Sequence, residues 1–309
     1  MNIIAELKKT SKIAAEEFIP CPKIEAGDEG ELIIRKLLRR ELSSWRNCAI
    51  YHGPRIPHPS GKGKMEIDFI IATRFRIFVV EVKNFSGSLV LASNNKDWKQ
   101  TKEGKSAYHS DPVEIIEAKG RAVKRFLEEK GIPCSMGDIK TALVLTHNKV
   151  VISGALAKNE KIFFSEDFAE SMSKFRKKHS GSLLGKNALQ PLYKMSQLKK
   201  ALDTLPTWDT LILHGGKKIR GDIINTPFQK IIKEEKIETI KIFQPRSLLT
   251  MLIFPAVALL FKTGSRIPRI HFIKKVKDKF VTIHPAGRRE PKQISLLNIY
   301  CVDIDGSGE

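Results

Sequence analysis

Two short runs set charged side chains in otherwise apolar surroundings: Met65-Glu66-Ile67-Asp68-Phe69-Ile70-Ile71, and Phe78-Val79-Val80-Glu81-Val82-Lys83. Both have the Ile, Val and Phe content of strands. Successive strand residues point to opposite faces, so Glu81 and Lys83, two apart, project from the same one. Whether Asp68 joins them depends on the turn. A four-residue hairpin loop at 73–76 sets Asp68 directly opposite Glu81 and Glu66 opposite Lys83. A two-residue loop keeps Asp68 on that face, whereas a three-residue loop without a bulge moves it to the other.

Two carboxylates so close on a buried sheet repel and raise each other's pKa unless a cation lies between them. A divalent ion removes the conflict. Oxygen ligands with room for water and phosphate suit Mg²⁺ or Mn²⁺ better than zinc, which prefers His and Cys. Lys83 is then placed to orient an attacking water or to steady charge on a phosphate, and the reaction served by such a set is phosphodiester hydrolysis. The E-x-K pattern alone is commonplace. Its weight here comes from Asp68, from the doubly apolar strand and from the basic chain. Glu31, at the head of the preceding helix, is a further candidate as a metal-site carboxylate or base-positioning group, although a D-x-x-E capping box begun by Asp28 would also employ it. His52 and His58 flank the loop before Asp68 and read first as surface histidines.

The elements that must position these groups follow from periodicity and punctuation. Residues 3–18 have helical spacing and are stopped by Pro20 and Pro22. A second helix carries the stripe Ile34, Leu37, Leu38, Leu42 and should end near Leu42 or Ser43. Residues 48–52, 65–73 and 75–83 read as strands. The last is apolar on both alternating sets, which belongs at the centre of a sheet. A further helix opens with Asp111 as cap, Pro112 at its first position and Glu114 completing a capping box. It carries Val113, Ile116, Val123 and Leu127 on one stripe and closes at Gly131-Ile132-Pro133. Ala142 to Leu145 supplies another strand. Beyond a basic stretch, Leu211 to Ile224 around Gly215-Gly216 reads as a hairpin, and the segments near 239–243, 270–276, 279–283 and 297–303 suggest a mainly β unit.

A chain of 309 residues points to two structured units, and its 54 Lys and Arg against 34 Asp and Glu leave a net charge of +20. The excess is spread over both halves, as suits a surface that tracks a phosphate backbone. The partner expected is nucleic acid, DNA before RNA; the oligomeric state is open. The 4 cysteines lack zinc-like spacing and are too sparse for a disulfide scaffold, and the opening residues lack the apolar core of a secretory signal, so a reduced cytoplasmic setting is expected. The apolar run from Leu248 to Phe261 contains Pro255 and falls short of the roughly 20 residues a membrane helix needs, so it is read as core.

Gly27-Asp28-Glu29-Gly30-Glu31, the Glu66-Ile67-Asp68 strand, Val80-Glu81-Val82-Lys83-Asn84 followed by Gly87, and Asp97-Trp98 together resemble the nuclease-related domain (NERD) over roughly residues 25–130. That family is assigned to the P-D-(D/E)-x-K nuclease superfamily. The resemblance implies an α/β (α+β) fold with a restriction-endonuclease-like αβββαβ core, divalent-metal cleavage of nucleic acid, and Glu31, Asp68, Glu81 and Lys83 as site residues. Asp68 and Glu81 would bind the metal, with Lys83 and Glu31 catalytic. One departure is the helix start Asp111-Pro112-Val113-Glu114-Ile115, where the family commonly shows Asn-Pro and then a Gln. The organisation expected is a helical extension over 1–24, the nuclease-related domain over 25–170, a basic linker over 171–200 and a smaller β-rich C-terminal domain over 201–309. The competing reading is a module that keeps the fold and binds DNA or RNA without cutting it.

Overall fold

A computed structural model of the 309-residue chain describes residues 22–58, 64–180, 191–214, 216–229, 232, 239–243, 256–262, 269–274, 280–286 and 290–304. The helix expected over 3–18 lies outside the described residues. Two compact units are present, Pro20–Leu205 and one that includes Pro206–Glu309.

In the first unit, helix α1 (Pro22–Leu42) leads into β1 (Cys48–His52), and a short ribbon of β2 (Arg55–Pro57) and β3 (Lys64–Glu66) precedes β4 (Phe69–Thr73) and β5 (Ile77–Lys83). Next come β6 (Gly87–Leu91), β7 (Trp98–Lys102), β8 (Lys105–His109), α2 (Pro112–Glu129), β9 (Ile139–Leu145), β10 (Val150–Ile152) and β11 (Ile162–Phe164), then helices α3 (Ser165–Ser180) and α4 (Met195–Leu202). The main sheet runs β1-β4-β5-β9-β11. Its first three strands are antiparallel, while β5, β9 and β11 are parallel neighbours. Elements α1, β1, β4, β5, α2 and β9 therefore form an αβββαβ core, with the sheet β10-β6-β7-β8 attached beside it.

Strand β5 is central because both of its faces are apolar. Phe78, Val80 and Val82 join Ile34, Leu38 and Leu42 of α1 and Phe168 and Met172 of α3 in one core. Ile77 and Val79 face the other way, onto Ile116, Val123 and Leu127 of α2 and Leu198 and Leu202 of α4. Each large aliphatic side chain buried in these layers contributes about 1.5–3 kcal/mol relative to exposure. Asp111 caps α2 by accepting the Val113 N–H at 2.8 Å. At the other end Gly131, at φ 74°, closes the helix while Ile132 N donates to the Leu127 carbonyl at 2.9 Å.

Four expectations need correction. Strand 65–73 is not continuous: the chain bends at Ile67 and Asp68, and Glu66 pairs with Arg55 rather than standing opposite Lys83. The cause is local, since the Ile67 N–H is taken by the Pro54 carbonyl at 2.9 Å and draws β3 onto β2. Helix α1 begins at Pro22, so Asp28 lies within it and no capping box starts there. Of the stretch expected as a linker over 171–200, the residues up to Ser180 belong to α3 and residues 195–200 to α4, and both helices bury apolar side chains in the first unit. Lys177 and Lys178 sit in the last turn of α3, where the helix dipole favours cations, and this concentration of charge imitates a linker.

In the second unit an eight-stranded sheet runs β16-β15-β14-β19-β12-β13-β17-β18 with antiparallel neighbours throughout; in chain order the strands are β12 (Asp209–Leu213), β13 (Lys218–Asn225), β14 (Thr239–Phe243), β15 (Ala256–Lys262), β16 (Arg269–Lys274), β17 (Phe280–Pro285), β18 (Lys292–Ser295) and β19 (Ile299–Asp303). The hairpin expected over 211–224 is β12–β13, and its turn includes Gly216 at φ 85°. Leu211, Ile219, Ile240, Val281, Ile283 and Val302 are among its core residues. Residues 256–261 of the apolar run lie in β15, whereas 248–255 lie outside the described residues. Among the described residues no helix is long and apolar enough to cross a membrane.

Candidate active site

The turn between β4 and β5 is the four-residue one, with the Thr73 N–H donating to the Arg76 carbonyl at 2.9 Å. Phe69 pairs with Val80 and Ile70 with Val79. Extending that register by one residue sets Asp68 across from Glu81. Asp68 has left the ladder, and its side chain completes it instead: Oδ2 accepts the Val82 N–H at 2.6 Å. A strand end that would expose an unpaired donor is thereby satisfied by the carboxylate that the site needs.

Glu81 is buried. Its two oxygens are held by two ammonium groups. Lys83 Nζ donates to Oε1 at 2.6 Å, and Lys119 Nζ, reaching down from α2, donates to Oε2. Burial works against the Glu81 charge, but Lys119 and Lys83 outweigh it and hold the carboxyl below its usual range. Asp68 goes the other way, pushed up to about 8 by burial and then by the neighbouring Glu81 charge. Lys83 resists the lowering effect of burial through Glu81 and then Asp68, and so stays above the ordinary lysine value.

Glu31 arrives from α1, on the other face of the sheet. Its Oε2 lies 2.8 Å from His52 Nε2, and the His52 ring rests on Phe69 at a centroid distance of 4.9 Å. Its charge is felt at both Asp68 and Lys83. The close approach of α1 depends on Gly30, where a Cβ would stand 2.8 Å from Thr146 Oγ1 and 3.3 Å from Val82 Cγ1. On the opposite helix Gly120 has the same use, since a Cβ there would meet Thr141 Cγ2 at 2.9 Å. The residue before it is Lys119, so this contact between α2 and β9 brings the ammonium within reach of Glu81.

Asp68, Glu81 and Lys83 thus come together on one face, with Glu31 beside them from the other. Lys119 escaped sequence reasoning, although its spacing from Ile116 and Val123 places it next to the buried stripe of α2, an unusual address for lysine. Asp97-Trp98 is structural: Trp98 is fully buried and Asp97 accepts from Asn94 Nδ2 at 2.7 Å.

The donor set fits a hard divalent cation. Two carboxylates face each other with water access, and Mg²⁺ is commonly held by one or two carboxylates while it keeps several waters. Among the described residues no group of three or more His, Cys, Asp or Glu side chains is arranged to hold an ion. Glu31 stands near enough for its charge to act on Asp68 and Lys83.

An αβββαβ domain with an acidic pair and a lysine at the end of its central strand has the architecture of a nuclease-type fold. Residues 26–152 match the family model described as the nuclease-related domain. Neither curated proteins nor solved structures give a match to the chain.

Proposed function

We propose that this protein is a metal-dependent nuclease that hydrolyses phosphodiester bonds of DNA. The observation that carries the reading is the Asp68 carboxyl accepting the Val82 N–H at 2.6 Å, close enough to Glu81 to feel its charge, with the Lys83 ammonium 2.6 Å from Glu81 Oε1. Asp68 and Glu81 would hold Mg²⁺ or Mn²⁺, which supplies Lewis-acid activation of water and of the phosphoryl oxygen. Lys83, whose side chain is about one-third exposed, would orient the attacking water and steady charge on the phosphate. Glu31, tied to His52, stands beside the site as a carboxylate that would position the water or take up its proton. The net charge of +20 supports a polyanionic substrate.

A module that only binds DNA has little use for a half-buried acid beside a buried one facing phosphate, and this favours cleavage over the binding reading. The test is incubation of the protein and its Lys83→Ala variant with supercoiled plasmid and linear single-stranded DNA, at low salt, with Mg²⁺, with Mn²⁺ or with chelator. Cleavage only by the metal-supplied parent is the expected result. If neither protein cuts and both shift DNA in a salt-dependent way, the chain is a binding module.

A further inference from the structure

Glu81 is met by two lysines from two different elements. Lys83 follows it on β5, as the nuclease reading requires, but Lys119 comes from the covering helix and occupies the second oxygen. It is not a solvated surface lysine: its side chain is 12% exposed against 34% for Lys83. Its placement depends on the Gly120 contact with Thr141. One turn earlier on the same helix face stands Ile115, which is 41% exposed and offers no polar group. Lys119 is thus the polar end of an otherwise apolar helix face beside the site, and it is bound to the carboxylate that a divalent ion would need.

We propose that Lys119 is the resident counter-ion of this site, competing with the divalent cation for Glu81 and, once displaced, serving as a second cation for the scissile phosphate. The inference rests on the metal-dependent reading above and goes one step beyond it. A carboxylate with both oxygens engaged by ammonium groups is a weakened ligand, because each ammonium draws on the oxygen's electron density and repels an incoming cation, so binding is favoured when one of them withdraws. Lys83 is the more exposed of the two but is tethered two residues away on the same strand. Lys119 hangs from a separate element on a flexible stem and can swing aside without disturbing the sheet. Its new position lies over the same face, where a phosphate bound to the site would meet it.

The experiment is calorimetric titration of Mn²⁺ into the full chain at low salt, with parent, Lys119→Met and Lys119→Arg proteins, followed by plasmid cleavage at saturating Mn²⁺. Removing a charge-assisted competitor should tighten Mn²⁺ binding by about tenfold or more in Lys119→Met, while Lys119→Arg stays close to the parent. The same Met variant should cleave more slowly at saturation. Tighter binding with slower cleavage separates this role from a merely structural one, which would weaken both. Should Lys119→Met fail to fold by circular dichroism, Lys119→Gln makes the same comparison. If the parent binds Mn²⁺ and the neutral variant binds it equally or less well, the counter-ion role is overturned and the metal-site reading survives. If no version binds Mn²⁺ while all are folded, both fall.

Discussion

Loading the site with Mn²⁺ at neutral pH should expel a proton, and that proton should come from Asp68. Burial and then the charge of Glu81 lift this carboxyl to about 8. A carboxylate must be deprotonated before it can ligate a cation. With a pKa within about a unit of 8, the group is half to almost fully protonated at pH 7, so each ion bound releases about 0.5 to 1 proton. Glu81 adds nothing to the count, because despite its burial the two lysines keep it ionised. The sign is fixed: affinity should rise as pH climbs towards 8, by up to about tenfold per unit, and level off above it. Titrations at pH 7 in buffers of different ionisation enthalpy measure the release directly, as the slope of apparent against buffer enthalpy. Asp68→Asn should bind weakly and release nothing. Measurable binding by the parent with a slope of zero would refute the electrostatic account, since Asp68 would then be either ionised beforehand or no ligand.

Other consequences can be checked without substrate. In chelator, the raised Asp68 value means that its proton stabilises the fold: this contribution is complete below about pH 4 and is lost as pH rises towards 8. Melting temperatures should therefore decline over that window in the parent, with a shallower decline in Asp68→Asn. Asp111→Ala removes the acceptor of the Val113 N–H and should cost about 1 kcal/mol in a urea titration, with an unchanged slope. Ile34→Ala, at a position with 0% exposure between α1 and the sheet, should cost about 2–5 kcal/mol, whereas Leu32→Ala, 48% exposed on the same helix, should stay within about 0.5 kcal/mol. An equal cost for the two would mean that α1 is not docked as described.

The register of the site was legible because it is a local property. An apolar hairpin with a four-residue turn allows few pairings, and the one observed, with Phe69 across from Val80, carries the chain on towards Glu81 at Asp68. The cap at Asp111, the central position of β5 and the β12–β13 hairpin were legible for the same reason. What failed depended on contacts distant in sequence or on ambiguous chemistry. Asp28 and Glu31 spell a capping box, yet the helix extends back to Pro22. Lys177 and Lys178 look like linker residues when Phe168 and Met172 are not yet known to be buried. Lys119 lies 38 positions from Glu81, and nothing in either neighbourhood announces the pairing that helix α2 creates.

That pairing gives the site a simple charge balance. Two positive charges serve the acidic pair: a proton on Asp68 and, on Glu81 beside the ever-present Lys83, the Lys119 ammonium. A divalent cation brings the same two charges. Its binding would exchange one proton and one ammonium for one ion, so the buried face keeps its net charge and escapes the cost of an uncompensated carboxylate. The released ammonium is then available at the moment a phosphate adds negative charge to the same face. On this account Lys119 matters to the free protein as well as to the loaded one: Lys119→Met should lower the chelator-treated protein's stability at pH 8, where Asp68 has begun to ionise beside Glu81, more than at pH 5, where its proton still shields the pair. Equal losses at the two pH values would place Lys119 outside this balance.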